Sequence, residues 1–400
     1  MLVVGDRYPF PATKRGIIKK ILAYFKLRPI IAEPIQNLKS KIQNRMTIDE
    51  QLLARVEALR IPLDDPASPI DWKDWYHFVL LDRQGKVRIL VNINLMGRPG
   101  HGEIQVSFIV NLPSTHLLPE DRVDMPMATL GTTFNLEWLP DMVRRNPLRI
   151  QGNGVLLELD GKHSMLQVQD ERAQLSIRCQ GEAQAMPLLV TEDSPFGSGF
   201  IGWGLVPGLQ VIGELSVGEQ NFSIDRDWFV YHDRNFGRFR WGEDIGWEWF
   251  IAFATCDDDR RLTLVLDQRT NKDHSVKYLP YIFVYLDNQL QKVFLGSTLA
   301  IHWDWSSSPV LPVRLPGIMA SLFADRTLKV PSSLQVEAAD ERDRLLINVN
   351  FETSMELVVP DNQARQYSFI EEVTGSVEVS LFLQGETLRA KGFIYGEYVL

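Results

Sequence analysis

Thiols are scarce: Cys179 and Cys256 are the whole complement in 400 residues. Two cysteines without C-x-x-C spacing supply neither a disulfide framework nor a Cys-based zinc site. Long apolar runs are missing as well. None approaches the roughly 18–20 residues that cross a bilayer, and no apolar N-terminal segment precedes a small-residue cleavage site. The expectation is a cytoplasmic protein. The seven His residues show no HxH or HExxH spacing, so no metal site is expected. No G-x-S-x-G elbow marks a hydrolase nucleophile. Positive charge is short outside the N-terminus: residues 1–45 carry ten Lys or Arg against Asp6 and Glu33, which leaves 32 basic and 49 acidic residues for the rest of a chain of net charge −9. Such an acidic body argues against nucleic acid as a partner.

What is present is an ordinary globular composition, 45% hydrophobic and 23% charged, on a length that accommodates roughly two or three domains. The stretch TKRGIIKKILAYFKL sets Ile17, Ile18, Ile21, Leu22 and Phe25 at helical spacing, with Lys14, Arg15, Lys19, Lys20 and Lys26 mostly elsewhere around the helix. A basic amphipathic helix over 14–28 either lies on an anionic membrane surface or docks its apolar stripe on the protein's own body. Thr47 and Glu50 fit a capping box ahead of LLARVEAL and predict a second helix starting at Thr47. From about residue 70 the texture changes to short Val-, Ile-, Phe- and Tyr-rich runs with period-two alternation, among them KVRILVNINL, EIQVSFIVNL and RLTLVLDQ. Few helical segments are left to cross between parallel strands, so an all-β chain of antiparallel meanders closing into barrels or sandwiches is expected. An internal repeat fits this reading. DWYHFVLLDRQGKVRILV (74–91) and EWFIAFATCDDDRRLTLV (248–265) share one strand–turn–strand pattern, with Trp75 matching Trp249.

Two local motifs read as structure. GSGFIG (197–202) satisfies G-x-G-x-x-G but lacks the following helix that receives a pyrophosphate, so its glycines serve turns or close approach. Asp257, Asp258 and Asp259 lack the Gly and terminal Glu of a calcium loop and form a solvated turn. The stretch YHDRNFGRFRWGEDIGWEW (231–249) is different, holding three Trp, four acidic residues and four basic ones counting His232. On a strand, Tyr231, Asp233 and Asn235 share one face and His232, Arg234 and Phe236 the other, while Trp247 and Trp249 share a face with Glu248 opposite.

The succession LQVIGELSVGEQNFSIDRDWFVYHDRNFG, followed by GWEWF, resembles the AttH-like tandem lipocalin-like proteins, which include carotenoid hydratase (hydroxyneurosporene synthase) and, more distantly, tocopherol cyclase. The matching positions are Gly213 and Leu215, then His232, Asp233, Asn235 and Gly237, then Trp247 and Trp249. DWKDWYHFVLLD resembles the family's Trp-Trp-Tyr strand, and GFIYGEYVL its Gly-aromatic-Glu ending. The resemblance covers roughly residues 70–400. It departs where the motif has a second His and a Trp, positions held here by Arg234 and Phe236; Arg stays protonated near neutral pH and cannot exchange a proton. The resemblance implies two lipocalin-like antiparallel β-barrels in tandem (61–237 and 238–400) behind a helical extension (1–60).

The activity it implies is cofactor-independent hydration or cyclisation of a hydrophobic isoprenoid or polyene. That chemistry needs a carboxylic acid to protonate an alkene, aromatic faces to stabilise the carbocation and a dry pocket. Asp233 is the candidate general acid, with Tyr231 beside it and His232 as a further catalytic candidate. Trp241, Trp247, Trp249, Trp75, Arg234, Asn235 and Phe236 are the candidate substrate contacts. Each also has a plainer reading: Asp233 in an ion pair, each Trp as core, His232 as a satisfied structural His. A second function stays open, a lipid or pigment carrier docking on membranes through residues 14–28. So does a third, a structural protein with filled barrels.

Overall fold

The computed structural model describes residues 48–63, 71–116, 126–305, 313–315, 317–326, 330–361 and 366–399. The basic helix expected over 14–28 lies outside them. No helix among the described residues is long and apolar enough to cross a membrane.

The alternating runs form three antiparallel sheets. Sheet A has seven strands in the order Leu188–Phe196, Gly199–Val206, Phe229–Arg238, Trp72–Leu81, Arg88–Met96, Glu103–Pro113 and Met127–Glu137. Sheet B, also seven-stranded, uses segments from Val143–Arg145 through Gln220–Ile224. The ten strands of sheet C all follow Gly246. Sheet C curls because its two end strands, Gln289–Leu295 and Leu299–Asp304, are consecutive in the chain and separated only by the turn Gly296–Thr298. Three residues of chain span about 10 Å at most, so the two edges must come together. The fold is all-β and lipocalin-like, with the first half built as two facing sheets and the second as one curled sheet.

Strand Trp72–Leu81 shows how the layers share one segment. Its even positions Tyr76, Phe78 and Leu80 join Ile150, Leu157 and Ile177 of sheet B in one core. Its odd positions Trp75, Val79 and Leu81 point the other way and pack with Trp249, Ile251 and Tyr395 of sheet C. Sheet C keeps a separate interior around Phe250, Leu264, Ile347 and Ile394. A strand buried on both faces reads as a nearly continuous apolar run, as this one does. The repeat seen in the sequence is a pair of equivalent hairpins. Trp72–Leu81 turns into Arg88–Met96 through Gly85 (φ 64°), and Gly246–Cys256 into Arg261–Thr270 through Asp259 (φ 66°). Gly202 sits in close approach as its sequence implied, since a Cβ there would enter the Phe236 ring.

The helix following the N-terminal region spans Glu50–Glu57 and is capped by Asp49, whose carboxylate accepts from the backbone N–H groups of Gln51 (3.1 Å) and Leu52 (3.0 Å). This corrects the expected start at Thr47, which lies outside the described residues: Asp at the N-cap satisfies two orphan amides itself. The helix docks on sheet A through the face of strand Phe229–Arg238 that carries His232 and Arg234. Arg234, fully buried, donates to the carbonyls of Val56 (3.1 Å) and Ala58 (3.3 Å), closing the helix C-terminus, and pairs with the buried Asp74 carboxylate. Asp74 also accepts from the Arg60 backbone N–H at 2.6 Å. His232 lies 3.1 Å from the Glu57 carboxylate and stacks on Phe78 with centroids 4.0 Å apart. Arg234→Met should leave a buried uncompensated carboxylate at Asp74 and cost about 3–5 kcal/mol. The double variant Asp74→Asn/Arg234→Met should regain much of that in urea unfolding, and an unchanged urea midpoint in the single variant would contradict the assignment.

Candidate functional site

The seam between sheets A and C holds the site, and strand register builds it. Across sheet A, one transverse row runs Asp233, His77, Asn92, Ser107, Thr133, and its neighbour runs Trp203, Asn235, Trp75, Asn94, Gln105. Across sheet C, Tyr281, Asp267, Trp249, Glu397 and Glu372 form a matching row. Two polar lanes in otherwise apolar sheet faces therefore confront each other. Between them lies a narrow cavity of about 40 Å³, walled by six aromatic rings, Trp75, Phe196, Trp203, Trp247, Trp249 and Tyr281. Asp233, Asp267 and Glu397 project into it, with His77 and Arg269.

Each carboxyl has a distinct environment. Asp233 is 3% exposed. Its Oδ2 accepts from Trp203 Nε1 (2.9 Å) and the Tyr231 hydroxyl (2.8 Å), and its Oδ1 from Asn235 Nδ2 (3.3 Å). Burial raises its pKa to about 6, held from going higher by the Trp203 and Tyr231 hydrogen bonds. Glu397 accepts from Trp247 Nε1 at 2.7 Å. Burial, reinforced by the nearby charges of Asp233 and Asp267, pushes it further, to about 8. His77 Nδ1 stands 3.4 Å from Glu397 Oε1, and burial depresses that imidazole to about 3, so it is neutral across the working range. Asp267 is raised by burial and accepts from the Tyr281 hydroxyl at 2.5 Å. At neutral pH the arrangement offers one protonated carboxyl, Glu397, and one ionised carboxylate, Asp233, in the same aromatic chamber. Environments that split two acids in this way suit one to give a proton and the other to take one.

A second, equally narrow chamber of about 30 Å³ shares Trp75, Trp247 and Glu397 with the first. Asn92, Asn94, Gln105, Ser107 and Thr133 line its sheet A side, and Leu315, Leu357, Val359 and Ile370 the other. Trp241 belongs to this chamber, tilted against Trp75 with centroids 5.9 Å apart.

The strand alternation read from the sequence separates the candidates cleanly. Asp233, Asn235, Trp75, Trp247 and Trp249 line the first chamber, Trp241 the second, and Tyr231 holds Asp233 from just behind. His232, Arg234 and Phe236 face away. Phe236 packs on Gly202 and under the Arg60 guanidinium, and His232 and Arg234 anchor the Glu50–Glu57 helix. The structure does not bring these three together with Asp233, so Arg234, where the sequence departs from the motif it resembles, lies on the strand face turned away from the cavity. Glu248, opposite the Trp pair, bonds to His274 (3.1 Å) and Trp303 (2.9 Å). Sequence reasoning missed His77, Trp203, Asp267, Tyr281 and Glu397. The signal for Glu397 was present in the Gly-aromatic-Glu ending. Trp203 stood directly after the GSGFIG run whose glycines let strand Gly199–Val206 approach its neighbour.

The class these features define is an all-β, lipocalin-like protein with a narrow seam, lined by carboxyl groups and aromatic rings, between two sheet units. No protein-family model and no curated protein matches the chain. Among solved structures it shares its fold with a protein provisionally named AttH from Nitrosomonas europaea (TM-score 0.54, 15% identity, covering 85% of this chain and 96% of that one). CghA, solved with Sch210972, is similar at TM-score 0.51 and 10% identity over 82% of this chain and 88% of its own. The chain thus has the AttH-like fold that its sequence resembles.

The raised carboxyls carry a stability signature. Glu397 keeps its proton to about 8 in the folded state but releases it near the ordinary glutamate value of roughly 4.3 when unfolded. The unfolded chain therefore binds fewer protons between those values, and stability contributed by the protonated form is lost as pH rises through that window. Glu397→Gln, which cannot ionise, should raise the melting temperature more at pH 8 than at pH 5, by roughly 1–2 °C per kcal/mol regained. A difference between variant and native protein that is the same at both pH values would contradict the assignment.

Proposed function

We propose that this protein is a cofactor-independent hydratase or cyclase acting on a hydrophobic isoprenoid or polyene through protonation of an alkene. The observation that supports it most directly is the pair Glu397 and Asp233, protonated and ionised respectively at neutral pH, at one aromatic-walled cavity. The proton-donor role, which the sequence alone placed on Asp233, is assigned here to Glu397.

In the proposed step the Glu397 carboxyl transfers its proton to an alkene carbon, forming a C–H bond and leaving a tertiary cation. The faces of Trp75, Trp203, Trp247 and Trp249 stabilise that cation, each ring contributing about 0.5–2 kcal/mol. In hydration, water adds through oxygen and gives a proton to the Asp233 carboxylate, which Trp203, Tyr231 and Asn235 hold in place. In cyclisation, an internal alkene attacks the cation and Asp233 takes the proton released from the adjacent carbon. Either way the proton returns from Asp233 to Glu397 and the enzyme is restored. His77, neutral and beside Glu397, orients the donor. Tyr231 acts as a positioning residue for Asp233. Arg234, bound on the far face, takes no part.

The test begins with mass spectrometry of the apolar compound that co-purifies with the protein, followed by incubation of that compound in D2O and in H2(18)O. Turnover should place one deuterium on carbon, with 18O gained in hydration and absent in cyclisation. Glu397→Gln and Asp233→Asn should each lower turnover by about 10²–10⁴-fold, the usual worth of a positioned acid or base. Binding of the compound without change in native protein would instead support a carrier of lipid or pigment.

A further inference from the structure

We propose that the second chamber is a subsite for a hydroxyl group, so that the substrate is an apolar alkene bearing an alcohol some distance from the reacting double bond. The inference deepens the reading given above and rests on it. Three buried atoms in this chamber have no hydrogen-bond partner among the described residues: Asn92 Oδ1, Asn94 Oδ1 and Trp241 Nε1. Asn94 and Trp241 are each 5% exposed. The amide oxygens accept and the indole N–H donates; one hydroxyl, which accepts through its lone pairs and donates its single hydrogen, matches the indole and one of the two amide oxygens.

The surroundings narrow the ligand further. Among the described residues lining the chamber there is no Lys or Arg, and Glu397 is present. A carboxylate or phosphate would find no counter-charge there, and an ammonium would face one carboxyl held protonated. A neutral polar group fits. The opposing side is apolar at Leu315, Leu357, Val358, Val359 and Ile370, with Glu397 its one polar side chain, so most of the polar lining lies on sheet A. A plain hydrocarbon chain filling this chamber would leave the buried amide and indole groups unpaired and without water to replace the lost bonds.

Strand register places the subsite relative to the chemistry. Asp233 pairs across to His77, and His77 across to Asn92; Asn235 likewise reaches Asn94 through Trp75. Two inter-strand steps amount to roughly 10 Å. The alcohol therefore lies roughly that far along the sheet from the carboxylate that handles the reacting end, with Trp75 and Trp247 bordering both chambers.

The experiment compares three polyene probes that differ at one end: retinol, the corresponding hydrocarbon with the hydroxyl replaced by hydrogen, and retinoic acid. Binding to the full chain is read as quenching of Trp emission by energy transfer to the polyene. Retinol should bind at least about tenfold more tightly than either the hydrocarbon or the acid, the equivalent of one well-made buried hydrogen bond. Asn94→Leu, similar in volume and unable to accept, should remove the preference for alcohol over hydrocarbon while leaving hydrocarbon binding in place. Trp241→Phe, which keeps a ring and loses the N–H, should weaken the same preference and carries the test where Asn94→Leu does not fold. Equal binding of retinol and hydrocarbon by native protein, or a preference unchanged in the folded variants, would overturn the subsite and leave the proposed reaction standing. Failure of all three probes to bind would overturn both.

Discussion

Burying carboxyl groups in the seam between two sheets is the constraint on which the rest of this structure depends. Asp233, Glu397 and Glu372 all lie where the outer face of sheet A meets sheet C. An ionised carboxylate there is costly, and proteins meet that cost by pairing, by hydrogen bonding or by keeping the proton. All three solutions occur in this chain. Asp74 is paired with Arg234 on the far face of sheet A. Asp233 is held by Trp203, Tyr231 and Asn235. Glu397 and Glu372 keep their protons, burial raising both above the ordinary glutamate range. The seam is thus a place where proton affinity is graded over neighbouring acids.

That gradation follows from the register of antiparallel strands. A one-residue slip of strand Phe229–Arg238 against Trp72–Leu81 would exchange the two faces, sending Asp233 into the A/B core and His232 into the cavity. Register is secured on the far face, where Arg234 closes the Glu50–Glu57 helix and pairs with Asp74. The helix therefore supports the site without touching it. The same strand presents the cavity's buried carboxyl on one side and anchorage on the other, which answers why so much charge and so many rings share nineteen residues from Tyr231 to Trp249.

The sequence made some of this legible. Period-two alternation separated Asp233 from Arg234 and paired Trp247 with Trp249, and the Trp75/Trp249 repeat foresaw two equivalent hairpins. What stayed hidden was assembled over long separations. Trp247 meets Glu397 across 150 positions, a pairing that no local pattern announces. Asn92 and Asn94 alternate with Val91, Ile93 and Leu95 and read as the wet face of a half-buried strand; only the packing of sheet C over that face encloses them. The helix start was misjudged because Thr47 completed a familiar motif, while the shorter Asp49 cap did the work. Arg234 drew attention as a departure from a catalytic motif, although its strand face alone removed it from the chemistry.

The proposed chemistry depends on a buried glutamic acid that keeps its proton at neutral pH. Infrared difference spectra of native protein and Glu397→Gln, recorded from pH 5 to pH 9, measure this directly through the carbonyl stretch of a protonated carboxyl. A band that is present at pH 7, titrates near about 8 and vanishes in the variant is the result predicted. A native spectrum matching that of the variant at pH 7 would show Glu397 already ionised and would contradict the central claim.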